Sequence, residues 1–322
     1  MSSRLRVAVV GATGYAGAEL VRILLHHPSV QLTTVVSRSR SGERLDVVHP
    51  GLQGLSELLF TAPNARELAR HDAVFLAVPH GTAHDWTERL DALSCPRIFD
   101  LSSDHRHSEG WVYGQAEWNA APLAGATRVA VPGCFATAIS LALAPFVASA
   151  SLRGPVQCVA ATGSTGSGAT PKRGTHHPER FVNLKAYKVL THQHTPEVEA
   201  FLSTLGAFDR LHFVPLSAPL DRGILATVFF ELSDATADPF AQLEAAYAAH
   251  PLIRVRSTSP ELRHVRGTGF CDLHVQRDGS QVTVLAAIDN LGKGAAAQAV
   301  QCLNLSIGLP TTAGLALAPC LP

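Results

Sequence analysis

At 322 residues, 46% hydrophobic and 16% charged, the chain is long enough for two domains and too apolar to be disordered. Lysine plus arginine equals aspartate plus glutamate at 26 each, so there is no overall field to draw in nucleic acid or an anionic membrane. No stretch offers about 18 uninterrupted apolar residues, which argues against a membrane span. The cysteines, at positions 95, 134, 158, 271, 302 and 320, form no C-x-x-C pair, which argues against a disulfide framework and a cysteine zinc site. With a strand and a glycine loop close behind Met1, no signal peptide is expected, and the chain reads as a soluble, reduced, cytoplasmic protein.

"RLRVAVVGATGYAGAELVRILLHHP" reads as a β-branched strand, a glycine turn and an apolar periodic helix closed by Pro28. "QLTTVVSRS" is a second strand, "HDAVFLAVPHGTAHDW" a strand and helix start, and "CPRIFDLSSDHR" a strand ending in a polar loop. Strands alternating with helices predict a doubly wound parallel sheet, an α/β Rossmann-type domain. Beyond Cys134 the pattern changes. "PVQCVAATGSTGSGATPKRG", "RLHFVPLSAPLDRGILATVFFEL" and "GSQVTVLAAIDN" predict an α+β segment with a substantial antiparallel sheet. "NLGKGAAAQAVQCLNLSIGL" then predicts a final small-residue helix that packs back on the first domain.

The first turn carries Gly11, Gly14 and Gly17, spaced G-x-x-G-x-x-G, a variant of the dinucleotide fingerprint. Glycines there permit a tight turn and close approach of backbone to a pyrophosphate at the helix N-terminus, so Gly11, Thr13, Gly14, Tyr15, Ala16 and Gly17 are candidate cofactor contacts. An NAD site usually places Asp or Glu about 20 residues on, at the end of the second strand. This chain has Ser37, Arg38 and Arg40 there and no carboxylate before Glu43. Arg beside Ser suits a 2′-phosphate, so Ser37 and Arg38 favour NADP(H) over NAD.

Cys134, in "VPGCFATAIS", follows Pro132-Gly133 at the mouth of a helix-spaced run. Unsatisfied N–H groups at a helix start lower a thiol pKa, which makes Cys134 the candidate nucleophile among the six cysteines. In "KVLTHQHTPEVEAF", Thr195 reads as an N-cap, Pro196 as the first helical residue and Glu197 as first-turn acid. His192 and His194 lie just before, and in extended chain would face one side as an acid/base pair or a grip on a carboxylate. No third ligand accompanies them at a metal spacing, so no metal is expected. "ATGSTGSGATPKRG" combines a glycine nest with Lys172 and Arg173 as a possible anion cradle, and Arg106 is a candidate carboxylate or phosphate ligand.

The blocks "VGATGYAGAELVRILLHHP", "LAVPHG", "DLSSDHR", "VPGCFATA", "HQHTPEVE" and "AAIDNLGKGAAAQAVQCLN", in this order, resemble the N-acetyl-γ-glutamyl-phosphate reductases of arginine biosynthesis. The resemblance implies an NADP-binding domain formed by 1–135 and 293–322, with 136–292 as the substrate and oligomerisation domain. It implies that Cys134 is the nucleophile, that His194 or His192 is the acid/base, and that Ser164, Gly166 and Asn290 lie near the nicotinamide. Pro79 of "LAVPHG" is a further implied cofactor contact, and Glu117 joins Arg106 and His192 as implied substrate contacts. A homodimer or homotetramer acting on a small acyl phosphate is expected. The chain departs from the family pattern in three places. Phe135 stands where Tyr is common, "YGQAEWN" stands for "YGLPELN" (Gln115, Ala116 and Trp118 for Leu, Pro and Leu), and Gly269 stands for Asn. The alternatives are a reductase of N-succinylglutamyl or aminoadipyl phosphate, a Cys–His hydrolase or acyltransferase, and a nucleotide-sensing protein without catalysis.

Overall fold

The β-branched runs of the first third are apolar without alternation, the pattern of strands buried on both faces. The computed structural model, which describes residues 4–315 and 318–319, makes them a parallel sheet. Cys320 lies outside the described residues. The chain divides into two units, one running to Gly133 and resuming at Ala295, the other spanning Cys134–Gly294.

In the first unit β1 (Leu5–Val10), β2 (Val30–Val36), β3 (Phe60–Thr61), β4 (Ala73–Leu76), β5 (Ile98–Asp100), β6 (Val112–Tyr113) and β7 (Arg128–Ala130) form one sheet in the order β3-β2-β1-β4-β5-β7-β6. Every pairing in it is parallel. Strand order reverses between β1 and β4, and that switch point is where such sheets receive ligands. Helix α1 (Tyr15–Leu24) follows β1, and α2 (Ala83–Asp91) follows β4. The N-terminus of α2 is closed by a carboxylate from elsewhere in the chain: Asp104 accepts from the Gly81 and Ala83 amides at 2.8 and 2.9 Å. The C-terminal helix Ala297–Ser306 is tied to this unit by Gln298 Nε2 donating to the Gly114 carbonyl (2.6 Å) and by Gln301 Nε2 donating to Glu117 (2.8 Å). His27 and Asn304 add a third tie at 3.0 Å.

The second unit holds β8 (Leu152–Thr162), β9 (Lys185–Ala186), β10 (Leu211–Ser217), β11 (Ile224–Leu232), β12 (Ile253–Val255), β13 (Cys271–Asp278) and β14 (Gln281–Ile288), ordered β12-β13-β14-β11-β8-β10-β9. Its pairings are antiparallel except β8 with β10 and β12 with β13. Helix α3 (Cys134–Ala148) is buried at every position from Phe135 to Val147 and supplies the core against the sheet. Pro145 sits inside α3 and has no N–H for the Leu141 carbonyl; the Tyr247 hydroxyl, at the end of α5 (Pro239–Tyr247), donates to that oxygen at 2.6 Å instead. The strands' alternate residues leave an apolar outer face, with Val159 and Phe229 both more than a third exposed.

Candidate active site

Cys134 is the first residue of α3. It is partly exposed, whereas Cys95, Cys158, Cys271 and Cys302 are buried, and burial pushes the Cys95 and Cys158 thiols up. Among the described residues, Cys134 alone of the cysteines combines partial exposure with a helix start, where backbone amides lack intrahelical partners. The "DNLGKG" block builds one wall beside it. The fully buried Asp289 carboxylate accepts from the Leu291 and Gly292 amides (2.9 and 3.1 Å) and from Gly267 (2.6 Å), and pairs with Arg222 at 2.9 Å. This hub shapes the turn that carries Gly294 to Cys134: a Cβ at 294 would lie 2.8 Å from the Cys134 Cβ and 3.2 Å from its Cα.

The two histidines come together beside the cysteine's helix, but not as extended chain. Gln193 is in the right-handed helical region, and α4 (His194–Ser203) begins at His194, so Gln193 is the N-cap and Thr195 is already helical. The expected Thr195 cap is therefore wrong by two residues: the Thr-Pro-Glu signal marks the first turn rather than its boundary, a displacement usual for helix ends. The rings lie 4.7 Å apart, and the Phe135 ring, one residue past Cys134, packs on His192, His194 and Phe213 at 5.4, 6.1 and 5.0 Å. The His194 amide donates to His192 Nδ1 at 3.1 Å, which leaves the His192 proton on Nε2. Burial, and behind it the charge of Lys188, lowers the His192 pKa to about 4. His192 is thus neutral at pH 7 and presents a fixed Nε2–H.

The unfolded chain takes up a proton at this histidine near 6.5, and the folded chain only near 4, so the unfolded state binds more protons between these values. Stability therefore falls as pH drops from about 6.5 to 4, by up to roughly 3 kcal/mol from this residue. Urea melts across that range should show a shallower decline in His192→Asn than in wild type; parallel declines contradict the assignment.

The loop after β8 is tied down rather than open. The Gly163, Ser164 and Thr165 amides donate to the carbonyls of Gly223, Leu220 and Asp221 at 3.0, 2.8 and 3.1 Å. Those three amides are occupied and do not contribute to the anion cradle expected over 161–174. Asn290 holds the same loop: its Oδ1 accepts from the Gly223 amide (2.7 Å) and its Nδ2 donates to Thr165 Oγ1 (3.0 Å). Ser164, Gly166 and Asn290 are thereby brought together; a Cβ at Gly166 would come no closer than 3.7 Å to Thr162 Oγ1 and 3.9 Å to Asn290 Nδ2. Lys172 and Arg173 are exposed, and Arg173 faces Glu179 at 3.5 Å.

In the first unit the glycine spacing has a steric cause. Gly11 has φ +84°, and a Cβ there would lie 2.2 Å from the Ala77 carbonyl oxygen; one on Gly17 would lie 2.3 Å from the Gly11 oxygen. Both glycines are dictated by packing of the turn. Gly14, the N-cap of α1, is different: its nearest neighbour would be 3.5 Å away, an ordinary contact. The fold would accept a side chain at 14, and its absence leaves the helix N-terminus open, as a pyrophosphate requires. Thr13, Tyr15 and Ala16 lie in that turn and first helical residues, with Tyr15 exposed. At the end of β2, Ser37 is buried, with its amide on the Thr61 carbonyl (3.1 Å). Arg38 is exposed, with no ion-pair partner among the described residues, while Arg40 faces Glu43 at 3.2 Å. Pro79 is exposed in the turn after β4, its carbonyl accepting from Thr82 Oγ1 at 2.6 Å.

Arg106 and Glu117 belong to the first unit. Arg106 is buried, donating to the Val131 and Leu101 carbonyls at 3.0 and 3.3 Å; Glu117 is buried against Gln301. Three residues at the site carry no sequence flag: Gly294, Tyr187 and Arg180. The Tyr187 ring lies 5.8 Å from that of His192, and burial, then the Cys134 sulfur, pushes its phenol pKa up.

Residues 6–126 match the family model for the semialdehyde dehydrogenase NAD binding domain, and 134–290 that for the semialdehyde dehydrogenase dimerisation domain. The N-acetyl-gamma-glutamyl-phosphate reductase of Salinispora arenicola is 41% identical over 332 residues, covering 97% of each chain. That of Methanothrix thermoacetophila is 37% identical over 335 residues, covering 96% of this chain and 97% of its own. The chain belongs to the N-acetyl-γ-glutamyl-phosphate reductase family. Among solved structures, aspartate semialdehyde dehydrogenase II of Vibrio cholerae, complexed with ASA, matches with TM-score 0.76 at 15% identity, over 94% of this chain and 98% of that one. A probable aspartate-semialdehyde dehydrogenase from Pseudomonas aeruginosa matches equally well, at 20% identity. These shared folds extend the reductase family's architecture, a parallel nucleotide-binding sheet followed by a mostly antiparallel one, well beyond its own sequences.

Proposed function

We propose that this chain reduces N-acetyl-γ-glutamyl phosphate to N-acetylglutamate semialdehyde and phosphate, by way of a thioester on Cys134. The observation that carries the reading is Cys134 itself, a solvent-reaching thiol at a helix start beside a paired histidine, in a chain whose relatives bear that reductase name.

The Cys134 thiolate attacks the γ-carbonyl carbon, the C–O bond to phosphate breaks, and phosphate leaves with its electron pair. The first-turn amides of α3 face the developing oxyanion. When bound, the nicotinamide cofactor supplies a hydride to the thioester carbon. The resulting alkoxide re-forms the carbonyl, and the C–S bond breaks to return the thiolate and release the semialdehyde. Neutral His192 serves as a hydrogen-bond donor through Nε2, holding the carbonyl oxygen, and His194 exchanges the proton at the sulfur and oxygen. The open Gly14 turn holds the cofactor pyrophosphate, with Thr13, Tyr15 and Ala16 around it.

Arg38 is assigned to the 2′-phosphate of NADP, since Arg40 already faces Glu43. Arg38→Ala should lower the preference for NADP over NAD, measured as a kcat/KM ratio, by about 10- to 100-fold; an unchanged ratio refutes the assignment. The apolar outer face bearing Val159 and Phe229 suits contact with a second copy, in keeping with the matched dimerisation domain. The reading as a whole is tested in reverse, by NADPH formation from NADP, phosphate and a panel of semialdehydes. N-acetylglutamate semialdehyde should give the highest kcat/KM. Preference for the N-succinyl or aminoadipate compound reassigns the substrate, and no activity with any refutes the reductase.

A further inference from the structure

Among the described residues, the second unit contains one partly buried arginine that faces no acid. Four of its arginines are partly buried. Arg222 lies on Asp289, and Arg254 and Arg256 lie on Asp272. The fourth, Arg180, has only neutral oxygens among the described residues: NH1 donates to the Ser217 hydroxyl, and NH2 to the Ala218 and Thr162 carbonyls at 2.9 and 3.2 Å. Its Nε is buried with no acceptor. A guanidinium withdrawn from water without a counter-charge is costly, and structures keep such groups when an anion completes them.

Its position is not arbitrary. Thr162 and Ser217 end the parallel strands β8 and β10, so Arg180 spans their carboxyl ends. Earlier along β10, Phe213 packs on Phe135 and on His192 (5.3 Å). Between the two, the Tyr187 amide donates to the Pro215 carbonyl (3.1 Å), and the Tyr187 ring reaches His192. Tyr187 is also the residue on which both charges register: the Cys134 sulfur raises its pKa and Arg180 lowers it. Strand β10 thus carries Phe213, which packs on Phe135 and His192, and a few residues on it holds the uncompensated Arg180 through Ser217.

We propose that Arg180 is a specificity-determining residue that receives an oxyanion of the substrate, its phosphate or its α-carboxylate, through the NH1 hydrogen not used by Ser217. This rests on the function proposed above, whose substrate carries both groups. The Ser217 hydroxyl and the Thr162 and Ala218 carbonyls fix the guanidinium in place, so the anion meets a fork already oriented.

The reverse reaction separates the two anions, because phosphate and semialdehyde are added independently. In Arg180→Gln, the KM for one of them should rise about 10- to 100-fold, with kcat and the KM for NADP changed less than threefold. A rise for inorganic phosphate assigns the phosphate; a rise for N-acetylglutamate semialdehyde assigns the carboxylate. Arg180→Lys should recover part of the loss. Should Arg180→Gln not fold, the wild-type enzyme gives the answer through the semialdehyde carboxamide: a carboxylate site requires a KM rise of that size, and a phosphate site instead requires Arg180→Lys to raise the KM for phosphate. All KM values within twofold of wild type in Arg180→Lys and Arg180→Gln, or in Arg180→Lys and with the carboxamide, overturn the proposal. Wild type inactive with every semialdehyde overturns the parent reading instead.

Discussion

Cys134→Ser should lower kcat for NADPH-dependent reduction at least about 10³-fold while leaving the fold and NADPH binding intact. The sulfur has two properties oxygen lacks. A thiol ionises far more readily than a hydroxyl and is the stronger nucleophile, and a thioester accepts hydride more readily than an oxygen ester. The residue is partly exposed at the first position of α3, so exchanging one atom leaves the buried run Phe135–Val147 undisturbed. Thermal melts should therefore overlay those of wild type. A kcat within tenfold of wild type, with an unchanged melt, contradicts the covalent route.

Gly294→Ala should come second, with a loss of about 10²-fold in kcat. The added methyl would sit 2.8 Å from the Cys134 Cβ and 3.2 Å from its Cα, and 3.3 Å from the Asp289 carbonyl. None of those atoms is the end of a flexible side chain. Relief requires moving the start of α3 or the 292–296 turn, and the turn is pinned by the five contacts on Asp289. The sulfur is therefore displaced, and a displacement on the order of 1 Å costs about 10²-fold in such chemistry. The iodoacetamide labelling rate of Cys134 should change in the same variant. Full activity would show that the turn yields, and that Gly294 does not set the sulfur's position.

What local chemistry determines could be read from the chain alone. The positive φ of Gly11 and the clash that a Cβ on Gly17 would make with the Gly11 carbonyl lie within a single strand–turn–helix, and the Cys134 helix start is set by Pro132-Gly133 before it. Both are short-range features that leave a mark in the residue order. The α4 boundary was misplaced because Gln193 takes helical angles despite a strong Thr-Pro-Glu signal two residues later. Glycine content does not reveal that carbonyls at 220–223 occupy the amides of Gly163, Ser164 and Thr165 in the glycine-rich loop. Tyr187, Arg180 and Gly294 were illegible for a common reason. Each reaches the site through a partner distant in sequence: Tyr187 through Pro215, Arg180 through Thr162 and Ser217, Gly294 through Cys134. Glycine and arginine are common enough that no local pattern separates these from the rest.

The most direct test of the covalent scheme is intact-protein and peptide mass spectrometry after mixing the enzyme with N-acetyl-γ-glutamyl phosphate in the absence of NADPH. With no hydride to consume it, the N-acetylglutamyl group should accumulate on the peptide carrying Cys134, with one phosphate released per acylated chain, and should disappear when NADPH is added. Turnover that proceeds with no acyl group on Cys134, or with the acyl group on another residue, contradicts it.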